Sequence, residues 1–338
     1  MPKYQSSLND YTIHETTCQV RYNALCIYDK ITYERGSRKF ANCYAVQRRE
    51  LNNRYTGIMN PQVAKRISRA VSLMLQSSSV QHIYNPVSRK YTSFRFNFIT
   101  LTIPDNSFLH CTPEHPPSHL TRMQLYKIPF AWDYIRSKCL DKSKLKSYYK
   151  LLLRPFLQWM TKYKNVHTYI WKAEFQKRLQ AHYHITTTTW ISTHEMAAKW
   201  NYLIEKNGLM SIYKMYNTGR MPPSVHVRKV TNKRNLQAYL SKELCKGVQN
   251  QISICSKVWD CSANLKAFKY FSLPLNTTHE KRLLQLDDKK IISLWQNDFC
   301  TIIRLKQGYQ QYLLSKKEKD AYQLFLNSIQ MHRQPLFD

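Results

Sequence analysis

Hydrophobic positions recur along this chain at two spacings, and the changes between them mark its elements. Between Pro61 and Gln76, Val63, Ile67, Ala70, Val71 and Met74 recur every three or four residues, which places them on one face of a helix whose first turn accommodates the proline. From Val80 to Tyr84 and again from Tyr91 to Ile103 the residues become β-branched and aromatic. Asn85-Pro86-Val87-Ser88-Arg89-Lys90 between them has the chemistry of a hairpin turn. The second run, Phe94 to Pro104, is long enough to be a central strand. A helix is expected over about Lys144 to Tyr163, and a second hairpin pairs Thr168 to Gln176 with His182 to Thr189. Ser192-Thr193-His194-Glu195 is a capping box that opens a further helix ending near Asn207-Gly208. Ser224 to Val230 then reads as a strand and Asn235 to Lys246 as a helix. From Thr278 to Asp338 the apolar spacing of Leu283, Leu286, Ile291, Leu294 and Trp295, then Tyr312, Leu313, Tyr322, Leu324 and Phe325, is helical; it fits a packed appendage or a binding module. Hairpins mixed with helices predict an α+β fold, a central antiparallel sheet with flanking helices and a helical C-terminal extension.

Composition narrows what such a fold could serve. The 338 residues suffice for two domains, with 43% hydrophobic content for their cores and no internal repeat. Against 21 Asp and Glu stand 52 Lys and Arg, a net charge of +31 spread along the whole length. A polyanion is the expected partner, the alternative being a solvated basic surface. No apolar run approaches the ~18 residues needed to span a membrane, and Met1-Pro2-Lys3-Tyr4 opens no signal-peptide pattern, so a soluble protein is expected. Nine cysteines without C-x-x-C pairs read as reduced thiols in a cytoplasmic setting. The six glycines form no phosphate-binding loop of the G-x-x-x-x-G-K type, so any helicase activity must come from another protein.

The strongest chemical candidate is Ala181-His182-Tyr183-His184-Ile185. Alternate residues of a strand share a face, so His182 and His184 point the same way and Tyr183 the other. If the preceding turn is Arg178-Leu179-Gln180, Gln176 faces His182 and Glu174 faces His184. A loop one residue longer or shorter would turn Glu174 away. Two neutral imidazoles with a carboxylate and an amide oxygen suit Mn2+ or Mg2+, with Zn2+ or Co2+ as substitutes. Histidines merely hydrogen-bonded on a sheet face are the bland alternative.

A second candidate lies on the helix from Asn235 to Lys246. Tyr239, Lys242 and Lys246 fall at i, i+3 and i+7 and so on one face, a phenol among cations. A packed tyrosine bordered by solvated lysines is the ordinary reading. Beside a metal site, the same phenol could attack a phosphodiester, its lysines stabilising the charge.

Three segments together resemble the HUH endonuclease superfamily, and within it the rolling-circle replication initiators of bacterial plasmids and single-stranded DNA phages. Phe98-Ile99-Thr100-Leu101-Thr102 is similar to the family's first motif, a strand of the DNA-binding sheet. Trp171-Lys172-Ala173-Glu174-Phe175-Gln176 followed by His182-Tyr183-His184 is similar to the second, and Tyr239-Leu240-Ser241-Lys242 to the third. Val258 to Leu265 looks like a trailing segment of related initiators. The resemblance implies divisions at 1–79 (an extension with one helix), 80–273 (the endonuclease domain) and 274–338 (the helical extension). It implies His182, His184 and Glu174 or Gln176 as metal ligands, Tyr239 as nucleophile, Lys242 steadying the phosphate or phenolate, and Thr100, Thr102 and Lys246 contacting DNA. The expected product is a 5′-phosphotyrosyl chain with a free 3′-hydroxyl. Origin DNA and a host helicase and polymerase are the implied partners, in the cytoplasm of a bacterial host. Phage-type initiators carry a second tyrosine where Glu243 stands, which speaks against a two-tyrosine handover, and the turn before His182 lacks the family's glycine.

Rival readings are a transposase or conjugative relaxase of the same superfamily, and a nucleic-acid-binding protein without catalysis. A two-histidine phosphoesterase would use the H-x-T pair His110-Cys111-Thr112 and His184-Ile185-Thr186 as acid and base without metal.

Overall fold

The computed structural model describes residues 11–33, 61–85, 89–104, 148–175, 181–210, 213–214, 219–230, 259–286, 290–296, 300–306 and 308–331. In chain order these form β1 (Tyr11–Arg21), β2 (Ala24–Tyr33), α1 (Pro61–Ser77), β3 (Gln81–Asn85), β4 (Lys90–Phe94) and β5 (Phe96–Thr102). A π-turn over Tyr149–Leu153 then leads into α2 (Arg154–Lys164), β6 (Tyr169–Phe175), β7 (Ala181–Thr187), α3 (Thr193–Lys206), β8 (Val225–Val230) and β9 (Trp259–Cys261). The remainder is α4 (Ala263–Ala267), β10 (Phe271–Pro274), α5 (Thr277–Leu284), β11 (Ile291–Gln296), β12 (Cys300–Leu305) and α6 (Lys316–Met331). The fold is mixed α+β, and its sheets are antiparallel.

Two compact units divide the chain. One comprises residues 1–54, 75–77 and 267–331, the other 55–74, 78–266 and 332–338. The first thus draws on residues from both the N-terminal and the C-terminal parts of the chain. Its sheet runs β10-β1-β2-β12-β11. The β1–β2 hairpin turns at Tyr22–Asn23, with Asn23 at φ 54°, a left-handed conformation that asparagine tolerates better than most residues.

The wholly helical C-terminal extension is corrected here. Residues 277–284 and 316–331 are helical, but Ile291–Gln296 and Cys300–Leu305 form a hairpin whose second strand pairs with β2 over Tyr28 to Ala24. The helical spacing of Ile291, Leu294 and Trp295 misleads because Ile302 and Ile303 supply a β-branched partner strand that also completes the sheet.

The second unit carries the histidine strand. Its main sheet runs β8-β5-β7-β6-β9, so β5 is paired on both sides, and β3–β4 form a separate hairpin. One face of the main sheet packs on the helices. Ile99, Leu101, Trp171, Tyr183 and Ile185 from the strands are buried with Phe156 and Met160 of α2 and Met196, Trp200 and Ile204 of α3. Trp200 sits edge-on to Phe156 at 5.4 Å and to Tyr183 at 6.1 Å, while its indole Nε1–H donates to the Thr102 carbonyl at 2.9 Å.

Local sequence explains where these helices stop and start. α2 ends at Asn165, whose φ of 53° breaks the helical run. α3 begins at Ser192, whose Oγ accepts the Glu195 N–H at 3.2 Å and donates to the Glu195 carboxylate at 2.9 Å; Glu195 also pairs with Lys164 of α2. The two histidines lie on the sheet face opposite these helices.

Candidate metal and nucleic-acid site

Strand parity gives the second face Phe98, Thr100 and Thr102 from β5, His182, His184 and Thr186 from β7, and Lys172 from β6. Thr102 lies opposite His182 and Thr100 opposite His184. On the far side of β7, position 174 lies opposite His182 and Lys172 opposite His184. Two rows therefore cross the sheet. One holds position 174, His182 and Thr102; the other holds Trp259, Lys172, His184, Thr100 and His226.

The expected register is corrected by these pairings. A three-residue turn would have set Glu174 against His184 and Gln176 against His182. Instead Phe175 pairs with Ala181, leaving five residues, 176–180, between the strands. The shift is even, so position 174 keeps its face while its partner changes. Gln176 lies outside the described residues, as do Tyr239, Lys242, Lys246 and His110; of Glu174 the described part is its backbone.

The side chains on this face orient one another. Thr100 Oγ1 is 3.2 Å from His184 Nδ1, and Phe98 stacks on the same imidazole at 5.4 Å with 25° between the planes. Thr102 Oγ1 reaches His182 at longer range, 3.4 Å to Nδ1 and 3.5 Å to Nε2. A hydroxyl accepting from Nδ1–H puts the imidazole lone pair on Nε2, the arrangement that metal-bound histidines adopt. The contact singles out one nitrogen for His184; for His182 it is shared. The two threonines expected to meet DNA thus lie against the histidines.

The residues present fit a divalent ion in part. The ring centroids of His182 and His184 are 6.2 Å apart, within reach of one ion bonded to both at about 2.1 Å. His182 is 5% exposed and the described pairing residues on this face include no thiol, so these two imidazoles offer nitrogen donors. Among the described residues no group of three or more His, Cys, Asp or Glu side chains could hold a metal. Position 174 is where strand register would bring a carboxylate.

Sequence reasoning missed three basic side chains on this face. Lys172 is 2% exposed, whereas His226 and Arg228 of β8 are exposed in the rows of Thr100 and Phe98. Alternation in Val225-His226-Val227-Arg228 signals their shared face, but no local feature says that β8 pairs with β5. Lys229, from the opposite parity of β8, lies 4.5 Å over the Trp190 ring. Among the described residues no helix is long and apolar enough to cross a membrane. No protein-family model, curated protein or solved structure matches the chain.

Proposed function

We propose that this chain is a rolling-circle replication initiator that nicks single-stranded DNA by metal-dependent tyrosine transesterification. The observation that carries this reading is the paired rows that set Thr100 against His184 and Thr102 against His182, on the sheet face opposite the helices. His182 and His184, with Glu174 as the carboxylate at the register position beside them, would hold Mn2+ or Mg2+. Bound there, the ion supplies Lewis-acid polarisation of a phosphate oxygen.

The chain's own residues supply the remainder. Exposed Arg228, with His226 beside it as a hydrogen-bond donor, in a chain of net charge +31, attracts the DNA backbone and holds it across the sheet. The Tyr239 phenol oxygen bonds to phosphorus as the bond from phosphorus to the 3′-oxygen breaks. The phenol loses its proton and the departing oxygen gains one, so no nucleotide cofactor is consumed. Lys242, three positions after Tyr239 in the sequence, stabilises charge on the phosphate or phenolate. The free 3′-hydroxyl would prime a host polymerase, with a host helicase opening the duplex. Because the phosphotyrosyl bond keeps the energy of the phosphodiester, a later 3′-hydroxyl can reverse the reaction and close the strand.

The test incubates the chain with Mn2+ and a random-sequence pool of labelled single-stranded DNA, then isolates protein-linked DNA on denaturing gels. A covalent product lost with chelator and with Tyr239→Phe, while DNA binding persists, is expected. A product that Tyr239→Phe leaves undiminished rejects the nucleophile, and one that survives chelation favours the metal-free histidine reading.

A further inference from the structure

The β3–β4 hairpin carries two aromatic rings that the chemistry above leaves unused. Tyr84 lies directly opposite Tyr91, their ring centroids 5.2 Å apart and the planes tilted by 54°. Such a cross-strand contact covers one flank of each ring and steadies the hairpin. It leaves Tyr91 71% and Tyr84 49% exposed, side by side on one face. His82 and Ser93 share that face, exposed and hydrogen-bonded to each other at 3.0 Å. Arg89 and Lys90, also exposed, lead into Tyr91, and no aspartate or glutamate occurs between Glu50 and Asp105 to oppose an anion. The root of the hairpin joins the sheet that bears the histidines. Phe94 is buried edge-on to Trp190 at 5.9 Å, and the Arg95 N–H donates to the Val230 carbonyl at 3.3 Å before the chain continues as β5 to Thr100 and Thr102. Tyr91 and Thr100 are nine positions apart, hence separated by at most about 30 Å.

We propose that this hairpin is a base-stacking contact for single-stranded DNA: an unpaired base lies on the open flank of the Tyr91 ring, Tyr84 backs that ring, and Arg89 and Lys90 meet the adjoining phosphates. This rests on the partner proposed above, single-stranded DNA, and not on its cleavage. A base outside a duplex presents a π-face that an aromatic ring covers whichever base it is. Bases within a duplex are already stacked and have no such face to offer. Charge selects the occupant as well: a stretch without a single carboxylate suits a phosphate backbone and repels a second copy of this chain, whose net charge is +31. A strand held at the hairpin runs along β5 toward the rows of His182 and His184, so the stacked base sets which phosphodiester reaches them.

Stacking and charge are separated by removing the bases. The full chain, in chelator so that nothing is cut, is titrated by fluorescence anisotropy against a labelled mixed-sequence single strand, a base-free sugar-phosphate strand of equal length, and a duplex. Tyr91→Thr keeps a strand-forming residue and deletes the ring. It should weaken the base-bearing strand by between about fivefold and a hundredfold, the range for one stacked base, and leave the base-free strand and the duplex unchanged. Tyr91→Trp should retain the unaltered affinity. Lys90→Gln should instead weaken all three alike and lower the slope of affinity against salt by about one, the mark of a phosphate contact. Circular dichroism sets equal folded fractions, and Tyr91→Val replaces Tyr91→Thr should that variant not fold. No loss with Tyr91→Thr, or equal losses on base-bearing and base-free strands, overturns the proposal. So does tighter binding of RNA than of DNA of the same sequence, or a shift in sedimentation with Tyr91→Thr that shows the hairpin joining two copies. A chain that binds the single strand through Tyr91 but forms no adduct once Mn2+ is supplied overturns the nicking function and leaves the stacking contact standing.

Discussion

Thr100→Val tests whether the histidine pair is a built site or a sheet face that happens to carry two imidazoles. The substitution exchanges a hydroxyl for a methyl on a β-branched side chain, so strand propensity is kept. It deletes one contact of consequence, the 3.2 Å approach of Thr100 Oγ1 to His184 Nδ1. A neutral hydrogen bond of this kind contributes about 0.5–1.5 kcal/mol net, which corresponds to roughly twofold to twelvefold in an equilibrium constant. Groups that orient metal-bound histidines contribute about tenfold to a hundredfold in affinity. The two ranges meet near tenfold, and because Thr100 is partly exposed the effect should not exceed that. Thr102→Val should act more weakly, since its hydroxyl lies 3.4 Å from Nδ1 and 3.5 Å from Nε2 of His182 and fixes neither. Mn2+ binding is followed by electron paramagnetic resonance of the free ion, with thermal unfolding as the control, in which stability should fall by no more than about 0.5–1.5 kcal/mol, the value of that one hydrogen bond. Equal Mn2+ affinity in the unaltered chain and Thr100→Val, or a larger loss with Thr102→Val, would refute the orienting role.

Three further outcomes test the fold. Ser192→Ala removes the side-chain acceptor from the first turn of α3 and should lower stability in urea unfolding by about 1 kcal/mol, with the Lys164–Glu195 pair weakened in parallel. In the other unit, burial raises the Glu318 pKa, but the Ser315 N–H at 2.7 Å and the His279 ring outweigh it and hold the carboxyl below its ordinary value. A depressed pKa stabilises above the unfolded value, about 4.3 for glutamate, and is lost as pH falls through the folded one. The melting-temperature gap between the unaltered chain and Glu318→Gln should therefore be full at neutral pH and close in acid; a gap that widens in acid contradicts the assignment. Burial, with smaller help from Cys26, pushes the Cys18 thiol up to about 12, so iodoacetamide followed by mass mapping should leave Cys18 unmodified until denaturant is added, while the more accessible Cys300 reacts before it.

How much of the site could be read from sequence follows from which of its features are local. Helices announced themselves because Pro61, Ser192 and Glu195 act within one turn, and the shared face of His182 and His184 followed from a period of two that no distant residue can alter. The C-terminal hairpin was not legible, because Ile291, Leu294 and Trp295 suit either period and the deciding partner of β12 is β2, near the other end of the chain. The histidine hairpin falls between these cases. Its connection carries no Asn-Gly or similar pair to set a loop length, so a five-residue loop and a three-residue loop read alike. A slip of one residue would have turned position 174 to the helix-covered face and removed the site. The slip of two that occurred preserves the face and exchanges the neighbours: it brings position 174 beside His182 and puts Lys172, which a reading by motif passes over, beside His184. Face membership is thus robust to errors in loop length of two, whereas the identity of the group touching each histidine is not. In this chain that difference decides whether position 174 or Lys172 stands across from His184.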